Sequence, residues 1–266
     1  MAKKVIPAPS KPSAVVNIDL EFDPGVHGKK WVACFDWLGF KNYVRQAGVT
    51  NVFCDMRWCI NELAYHGQLL NVEFAWFSDT FLYHTHDGSR ESFCAISQAS
   101  EWFFDEVVDS GIPLRGALAF GDIYVDKSNH VFLGEAFVDA YEYGERFDWV
   151  GFALHHSALD RMAELGQPVS ELYYERQCAP FRDRNAARLK LESVVAYGIG
   201  QSSALPVVGG NPYLHSVKAM HDAITNRRHR KKYQHTIQFN EHFDNPKHPV
   251  HIISRAASKG KGERPA

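Results

Sequence analysis

The sequence predicts an α+β sandwich: one antiparallel sheet with helices packed on one face. Three observations support this. Short apolar runs and helical stretches follow the order strand, helices, hairpin, long helix, hairpin, helix, strand. Two of those runs are separated only by Ser78-Asp79, a spacing that suggests a hairpin although Ser-Asp is not the favoured turn chemistry. Hydrophobic residues make up 45% of the 266 residues and aromatics 13%, enough to build a real core.

The elements are expected in this order. Residues 1–30 form an arm broken by Pro7, Pro9, Pro12 and Pro24, with room for a short strand over Val15 to Leu20. The ordered body starts at Trp31, and the apolar run Trp31 to Phe35 reads as a buried strand. Gly39 allows a tight exit into a helix over Lys41 to Gln46 that stops at Gly48. Phe53, Met56, Ile60 and Leu63 then recur at helical spacing. The hairpin Leu70 to Phe77 and Thr80 to His84 follows.

Ser89 can cap the clearest helix, which runs to Asp109. Phe93, Ile96, Ser100, Phe103, Phe104, Val107 and Val108 share one face of it, and Gly111-Ile112-Pro113 ends it. Leu114 to Phe120 and Ile123 to Val125 read as two strands around Gly121-Asp122. Further along come a helix after Gly134, a strand over Trp149 to Leu154, a helix through Leu165 and a last strand over Leu191 to Ile199. Ala256 to Ala266 reads as disordered. The basic run Arg227 to Lys232 reads first as a solvated helix end or arm, and second as a phosphate contact.

The net charge of −2 supplies no global attraction to nucleic acid or anionic membrane, so contacts with phosphate must be local. Cys34, Cys54, Cys59, Cys94 and Cys178 are odd in number and form no CxxC pair. That fits neither a disulfide framework nor a zinc site and points to a reducing compartment. The N-terminus MAKKVIPAPSKPS lacks a signal peptide's apolar stretch, and no run reaches the ~20 apolar residues of a membrane span. The expectation is a soluble cytoplasmic protein.

Two acids sit in apolar surroundings: Asp36 in FDWLGF and Asp79 in WFSDTF. A carboxylate there is costly unless it is paired, hydrogen-bonded or bound to a metal. At neighbouring strand ends the two repel each other unless a cation lies between them. Mg²⁺ or Mn²⁺ suits such hard oxygen ligands, together with substrate phosphates. The alternative is that each Asp is a turn or cap residue. Arg115 opens the strand LRGALAF, where it is either a phosphate clamp or one half of a surface ion pair. Gly39, just before a helix, lets backbone N–H groups approach a phosphate.

Taken together, FDWLGF at 35–40, FSDTF at 77–81 and LRGALAFGD at 114–122 resemble the catalytic domain of the adenylate and guanylate cyclase class. Asp79 follows Asp36 by 43 positions, close to that family's spacing. FSDTF and LGEAFVDAYEYGE look most like the bacterial pyrimidine cyclase branch, the enzyme half of Pycsar anti-phage systems. The resemblance covers about residues 31 to 160 and implies the ferredoxin-like, palm-type sheet of the nucleotidyl cyclase fold. It implies an arm at 1–30, a catalytic domain at 31–205 and a helical, basic extension with a disordered tail at 206–266. It also implies two Mn²⁺ or Mg²⁺ ions on Asp36, Asp79 and the Trp37 carbonyl. Gly39 and Phe40 are then nucleotide-binding through their N–H groups, and Arg115 contacts the β- and γ-phosphates.

The implied reaction is UTP to 3′,5′-cyclic UMP plus pyrophosphate, with CTP as the alternative substrate. The implied protein is a homodimer with composite sites, whose product acts on a separate effector protein. No nucleic-acid partner is implied. The family's transition-state Asn–Arg pair is missing from AFVDAYEYGER, where Tyr141 and Arg146 are possible substitutes. The purine-selecting Lys and Asp are not placeable.

Other readings compete. His84 and His86 invite a metallohydrolase, although Asp87-Gly88 reads as a turn and exposed turn histidines are the plainer reading. His155 and His156 read as helix-start residues. A diguanylate-cyclase-like palm lacks its Gly-Gly-acid-acid turn at Ser78-Asp79. A degenerate, nucleotide-sensing cyclase domain is the non-enzymatic alternative.

Overall fold

A computed structural model describes residues 27–167, 173–182, 189–200 and 212–241. The strand expected at Val15 to Leu20 and the tail from Ala256 lie outside them. Fifteen elements follow in order: β1 His27–Trp37, α1 Phe40–Ala47, α2 Val49–Leu69, β2 Glu73–Phe77, β3 Thr80–His84, α3 Arg90–Asp109, β4 Leu114–Asp126, β5 Val131–Leu133, α4 Glu135–Arg146, β6 Gly151–Leu154, α5 His156–Glu164, β7 Tyr173–Arg182, β8 Leu189–Tyr197, α6 Pro212–Ala223 and α7 Arg227–Glu241. They form an α+β fold around one sheet of order β2-β3-β1-β4-β6-β8-β7, with β5 paired to β4. Every pairing is antiparallel except β4 with β6, which α4 joins by a crossover.

β1 explains its own sequence. Trp31 to Phe35 are all buried because both sheet faces are covered. Trp31, Ala33 and Phe35 point to the layer of α2 and α3, where Phe93, Ile96, Phe103, Phe104 and Val107 meet them. Val32 and Cys34 point the other way, toward Leu82, Ala119 and the α4 residues Ala136 and Ala140. The helical layer on one face is thus joined by α4 on the opposite face. Small residues set that second spacing: a Cβ on Gly144 would lie 3.2 Å from the Cα of Gly116.

The long helix is as expected, with the Ser89 hydroxyl accepting from the Ser92 N–H at 3.1 Å. Gly111, at φ 88°, ends it. In α2, Leu63 is buried and Met56 and Ile60 pack on the core, but Phe53 is 63% exposed. The inner face is instead Cys59, Leu63, His66 and Gly67.

Four further expectations are corrected. β1 begins at His27, because the segment before Trp31 continues the pairing with β4 as far as Tyr124. Gly121-Asp122 is not a turn. β4 runs straight through it, and the chain reverses between Asp126 and Val131, where the Asp126 carboxylate accepts from the Asn129 N–H at 3.0 Å. The sequence reading missed β7, an edge strand of low apolar content (YYERQCAPFR). The last strand lies two residues earlier than expected. From 212 onward α6 and α7 pack into the same core, with Leu214, Val217 and Tyr233 buried in it.

Inside that core Glu101 accepts from Ser97 at 2.8 Å, and Ser97 meets the Tyr173 hydroxyl at 3.0 Å. Burial pushes the Glu101 carboxyl up to about 7, outweighing those hydrogen bonds. In the unfolded chain the group titrates near 4.5. The unfolded state therefore loses its proton first as pH rises. The stabilising contribution is complete below about 4.5 and is lost on the way up through about 7. Thermal melts of Glu101→Gln against the parent should show a gap that shifts in the variant's favour between pH 4.5 and pH 8. A gap independent of pH would exclude this assignment.

Candidate active site

Asp36 is the penultimate residue of β1, and its cross-strand partners are Thr80 of β3 and Arg115 of β4. Asp79 precedes Thr80 in the two-residue turn, where Ser78 takes the left-handed φ of 56°. The Trp37 N–H donates to the Asp79 carbonyl at 3.0 Å, which ties the turn to the end of β1. Antiparallel register thus brings the two predicted acids together, close enough for the Asp79 charge to act on Asp36. Asp79 is half-buried, and among the described residues its carboxylate makes no hydrogen bond.

Arg115 is a direct consequence of the register. Its Nε donates to Asp36 Oδ2 at 2.8 Å, and Nη2 lies 2.8 Å from the same oxygen. Nη1 donates to the Glu145 carbonyl at 2.8 Å and the Phe147 carbonyl at 3.3 Å, and Nη2 lies 3.6 Å from Glu145 Oε1. The Asp36 and Arg115 side chains are 18% and 11% exposed. Of the two readings of Arg115, the geometry is that of an ion pair, largely buried rather than at the surface. Phosphate contact requires exchanging the carboxylate for a phosphate oxygen. Burial pushes the Asp36 carboxyl upward, Arg115 opposes this, and the negative charges of Asp79 and Glu145 add to it. A cation at the site reverses that balance.

Glu145 was missed by the sequence reading. It lies one helical turn after Tyr141 on α4 and hydrogen-bonds its phenol, which burial and the charges of Glu145 and Asp36 push upward. The i,i+4 spacing was visible, but nothing local said which sheet face α4 would cover. Tyr141 therefore stands beside the acids, whereas Arg146 is the last residue of α4.

Gly39 adopts φ 83°, ψ 8° and starts α1 with no side-chain cap. The Asn42 and Tyr43 N–H groups return to the Gly39 carbonyl at 2.9 and 3.1 Å, so Phe40 and Lys41 carry the first-turn N–H groups left without a helical acceptor. These are the groups an anion can take. A groove of about 980 Å³ opens beside them, between Gly39, Asn42 and Tyr43 on one wall and Asn226, His229 and Tyr233 on the other.

No cluster of three or more His, Cys, Asp or Glu side chains able to hold a metal occurs among the described residues. Asp36 and Asp79 nevertheless fit a divalent ion that completes its shell with phosphate and water, since Mg²⁺ commonly takes only one or two carboxylates. Arg115 engages Asp36 Oδ2 alone, which leaves Oδ1 as a donor.

The histidine reading resolves differently. His84 closes β3 and is buried, so it is not an exposed turn residue, and burial lowers it to about 4. His86 is exposed and lies 3.7 Å from Glu73. His155 and His156 do start α5, with His155 Nδ1 accepting from the Ser157 N–H at 3.3 Å. The basic run forms the first turns of α7. Arg230 donates to the Ile224 carbonyl at 2.9 Å, and His229 reaches the groove. Among the described residues no helix is long and apolar enough to cross a membrane.

No family model and no curated protein matches the chain. Solved structures similar to it include the adenylyl cyclase CyaB from P. aeruginosa, at 8% identity and TM-score 0.48 over 64% of this chain and 93% of that one. Another is the catalytic core of a rhodopsin-guanylyl cyclase with converted specificity in complex with ATPalphaS, at 11% identity and TM-score 0.47 over 63% and 94%. A third is the guanylate cyclase domain of RhGC from Catenaria anguillulae in complex with GTP, at 12% identity and TM-score 0.46 over 64% and 94%.

Proposed function

We propose that this chain is a two-metal nucleotide cyclase that converts UTP to 3′,5′-cyclic UMP and pyrophosphate, with CTP as the alternative substrate. The observation that carries the reading is the β1–β3 register, which sets Asp36 and Asp79 side by side next to the uncapped start of α1. The motif resemblance at 35–40, 77–81 and 114–122 supports it, and the pyrimidine base rests on FSDTF and LGEAFVDAYEYGE.

Asp36, Asp79 and the Trp37 carbonyl would hold two Mg²⁺ or Mn²⁺ ions, which when bound would lower the pKa of the ribose 3′-hydroxyl and offset the charge of the departing pyrophosphate. The Gly39 and Phe40 N–H groups orient the phosphates. Arg115 holds Asp36 and, on exchange, meets a β- or γ-phosphate oxygen. The 3′-oxygen bonds to the α-phosphorus, the bond from that phosphorus to the bridging oxygen breaks, and the hydroxyl proton passes to water. The cyclic product acts on a separate effector protein in anti-phage defence. The catalytic domain spans 31–205.

The test is incubation with each nucleoside triphosphate and Mn²⁺ followed by chromatography. Cyclic UMP or cyclic CMP is expected, and absence of cyclic product from every triphosphate sinks the reading. The closed Asp36–Arg115 pair favours one second reading, a domain that senses nucleotides without turning them over. That reading predicts binding of a triphosphate with no product.

The working unit in this proposal is a homodimer. β2, α4 and the end of β5 leave Trp76, Phe77, Leu133 and Val138 between 42% and 61% exposed. Trp76 and Phe77 line one depression with Phe132 and Phe137, and an exposed apolar patch of this kind marks an association surface. Trp76→Glu should halve the mass seen in sedimentation and abolish turnover while leaving the melt unchanged. An unchanged mass excludes this face as the dimer contact.

A further inference from the structure

We infer that Thr236 of α7 is a positioning residue for the candidate active site. It grips the segment whose carbonyls hold Arg115 against Asp36. The inference rests on the cyclase reading for its consequence in turnover, but its geometry is independent of that reading.

The segment between α4 and β6 is irregular apart from a bridge residue at Phe147, and Phe147 to Val150 are all buried. Buried backbone groups need partners. α7 supplies them to Asp148 and Val150 and packs on Trp149 between them. His235 Nδ1 donates to the Asp148 carbonyl at 3.2 Å, and Lys232 Nζ lies 4.0 Å from the Asp148 carboxylate. Phe239 meets the Trp149 ring edge-on, with centroids 4.6 Å apart. The Thr236 hydroxyl accepts the Val150 N–H at 2.9 Å and lies 2.9 Å from the Val150 carbonyl, with the Lys232 carbonyl at 3.1 Å. A hydroxyl can accept two bonds and donate one, so one side chain satisfies both backbone groups of Val150. Thr236 is fully buried.

The residue just before this gripped stretch is Phe147. Its carbonyl, with that of Glu145, receives Arg115 Nη1. A guanidinium is a rigid fork, so fixing Nη1 fixes the direction of Nε and Nη2. Those two nitrogens bind Asp36. The path from Thr236 to Asp36 is therefore a chain of buried and partly buried polar contacts, Thr236 to Val150 and Phe147 to Arg115, joined by the backbone of the two residues between them. Bulk alone does not explain a threonine here. A valine of the same shape would fill the space and leave the N–H and carbonyl of Val150 unpaired.

The test compares Thr236→Val with Thr236→Ser in the full chain. Two readouts are taken well below each variant's melting temperature. The first is the arginine Nε–H signal of Arg115 in ¹⁵N NMR, assigned by its loss in Arg115→Lys. Its exchange with water should quicken by about tenfold or more in Thr236→Val and return to the parent rate in Thr236→Ser. The second is steady-state turnover with Mn²⁺. In Thr236→Val kcat should fall by about 10–100-fold with KM little changed, since a displacement near 1 Å costs on this order. Thr236→Ser should recover most of it. A kcat within twofold of the parent in Thr236→Val, or an unchanged Arg115 exchange rate, overturns the inference. If the valine variant does not fold, His235→Ala releases the neighbouring Asp148 carbonyl and is read in the same two ways. A parent protein without cyclase activity removes the reaction, not the exchange result.

Discussion

Asp79→Ala is expected to abolish turnover while leaving the fold intact, whereas Asp36→Ala removes activity and loosens the fold. The asymmetry follows from their surroundings. Asp79 sits in a turn, half-buried, and its side chain anchors nothing among the described residues; the turn is held by its backbone carbonyl. Removing the carboxylate takes away one ligand of the proposed metal pair. The expected loss is about 10³-fold in kcat, or roughly 4 kcal/mol of transition-state stabilisation.

Asp36 carries a second duty. Its carboxylate faces Arg115, which is only 11% exposed. With alanine at 36 the guanidinium keeps its carbonyl partners and Glu145 at 3.6 Å but loses its nearer counter-charge. Leaving such a cation with only the more distant Glu145 costs on the order of 1–3 kcal/mol, below the range for fully buried pairs because a counter-charge remains and some solvent reaches this one. Asp36→Asn should separate the two duties. It keeps an oxygen for Arg115 and most of the stability, but loses the charge that a divalent ion needs. Melting curves alongside Mn²⁺ titration and turnover decide the matter. An Asp79→Ala protein with more than a tenth of parent activity removes the paired-carboxylate mechanism.

The second large effect is expected at Gly116, where even alanine should be poorly tolerated. A Cβ there would lie 2.5 Å from the Cys34 carbonyl oxygen and 2.7 Å from Phe35 Cδ1. The first is backbone of the central strand and cannot swing aside. α4 closes the other side through Gly144. Overpacking of this kind costs about 1–3 kcal/mol, and relief requires β1 and β4 to part. Since Asp36 and Arg115 pair across those strands, Gly116→Ala should reduce activity beyond what its lower melting temperature explains. Gly39→Ala is the contrast. No atom lies within 4 Å of its Cβ position, so the cost is the left-handed backbone alone, about 1 kcal/mol. A Gly116→Ala protein as stable and active as the parent would show that the layers have slack at this point.

Much of the site was legible in local pattern. FDWLGF and FSDTF each place an acid at the end of an apolar run, and the pairing of β1 with β3 makes those ends neighbours. Gly39 and Gly48 bracket α1 because both need positive φ, at 83° and 78°. Ser89, Gly111 and the Phe93–Val108 stripe define α3 for similarly local reasons. Gly121-Asp122 misled because turn residues are read by type. At that point β1 was already pairing with the strand, and the pairing overrode the punctuation.

The sequence by itself determined the α+β class, the order of most elements and the place of Asp36 and Asp79 at the ends of apolar runs. These depend on periodicity of 2 or 3.6, on capping and on short connections, which act within a few residues. Tertiary structure decided the rest. Arg115 could have faced a phosphate; the register gave it Asp36, 79 positions away. Glu145 joined the site once α4 covered the second sheet face, and Thr236 reached Val150 across 86 positions because α7 folds back on the body. No local pattern encodes such contacts. Each forms only when packing has closed the intervening chain and water has left the groups that must then pair.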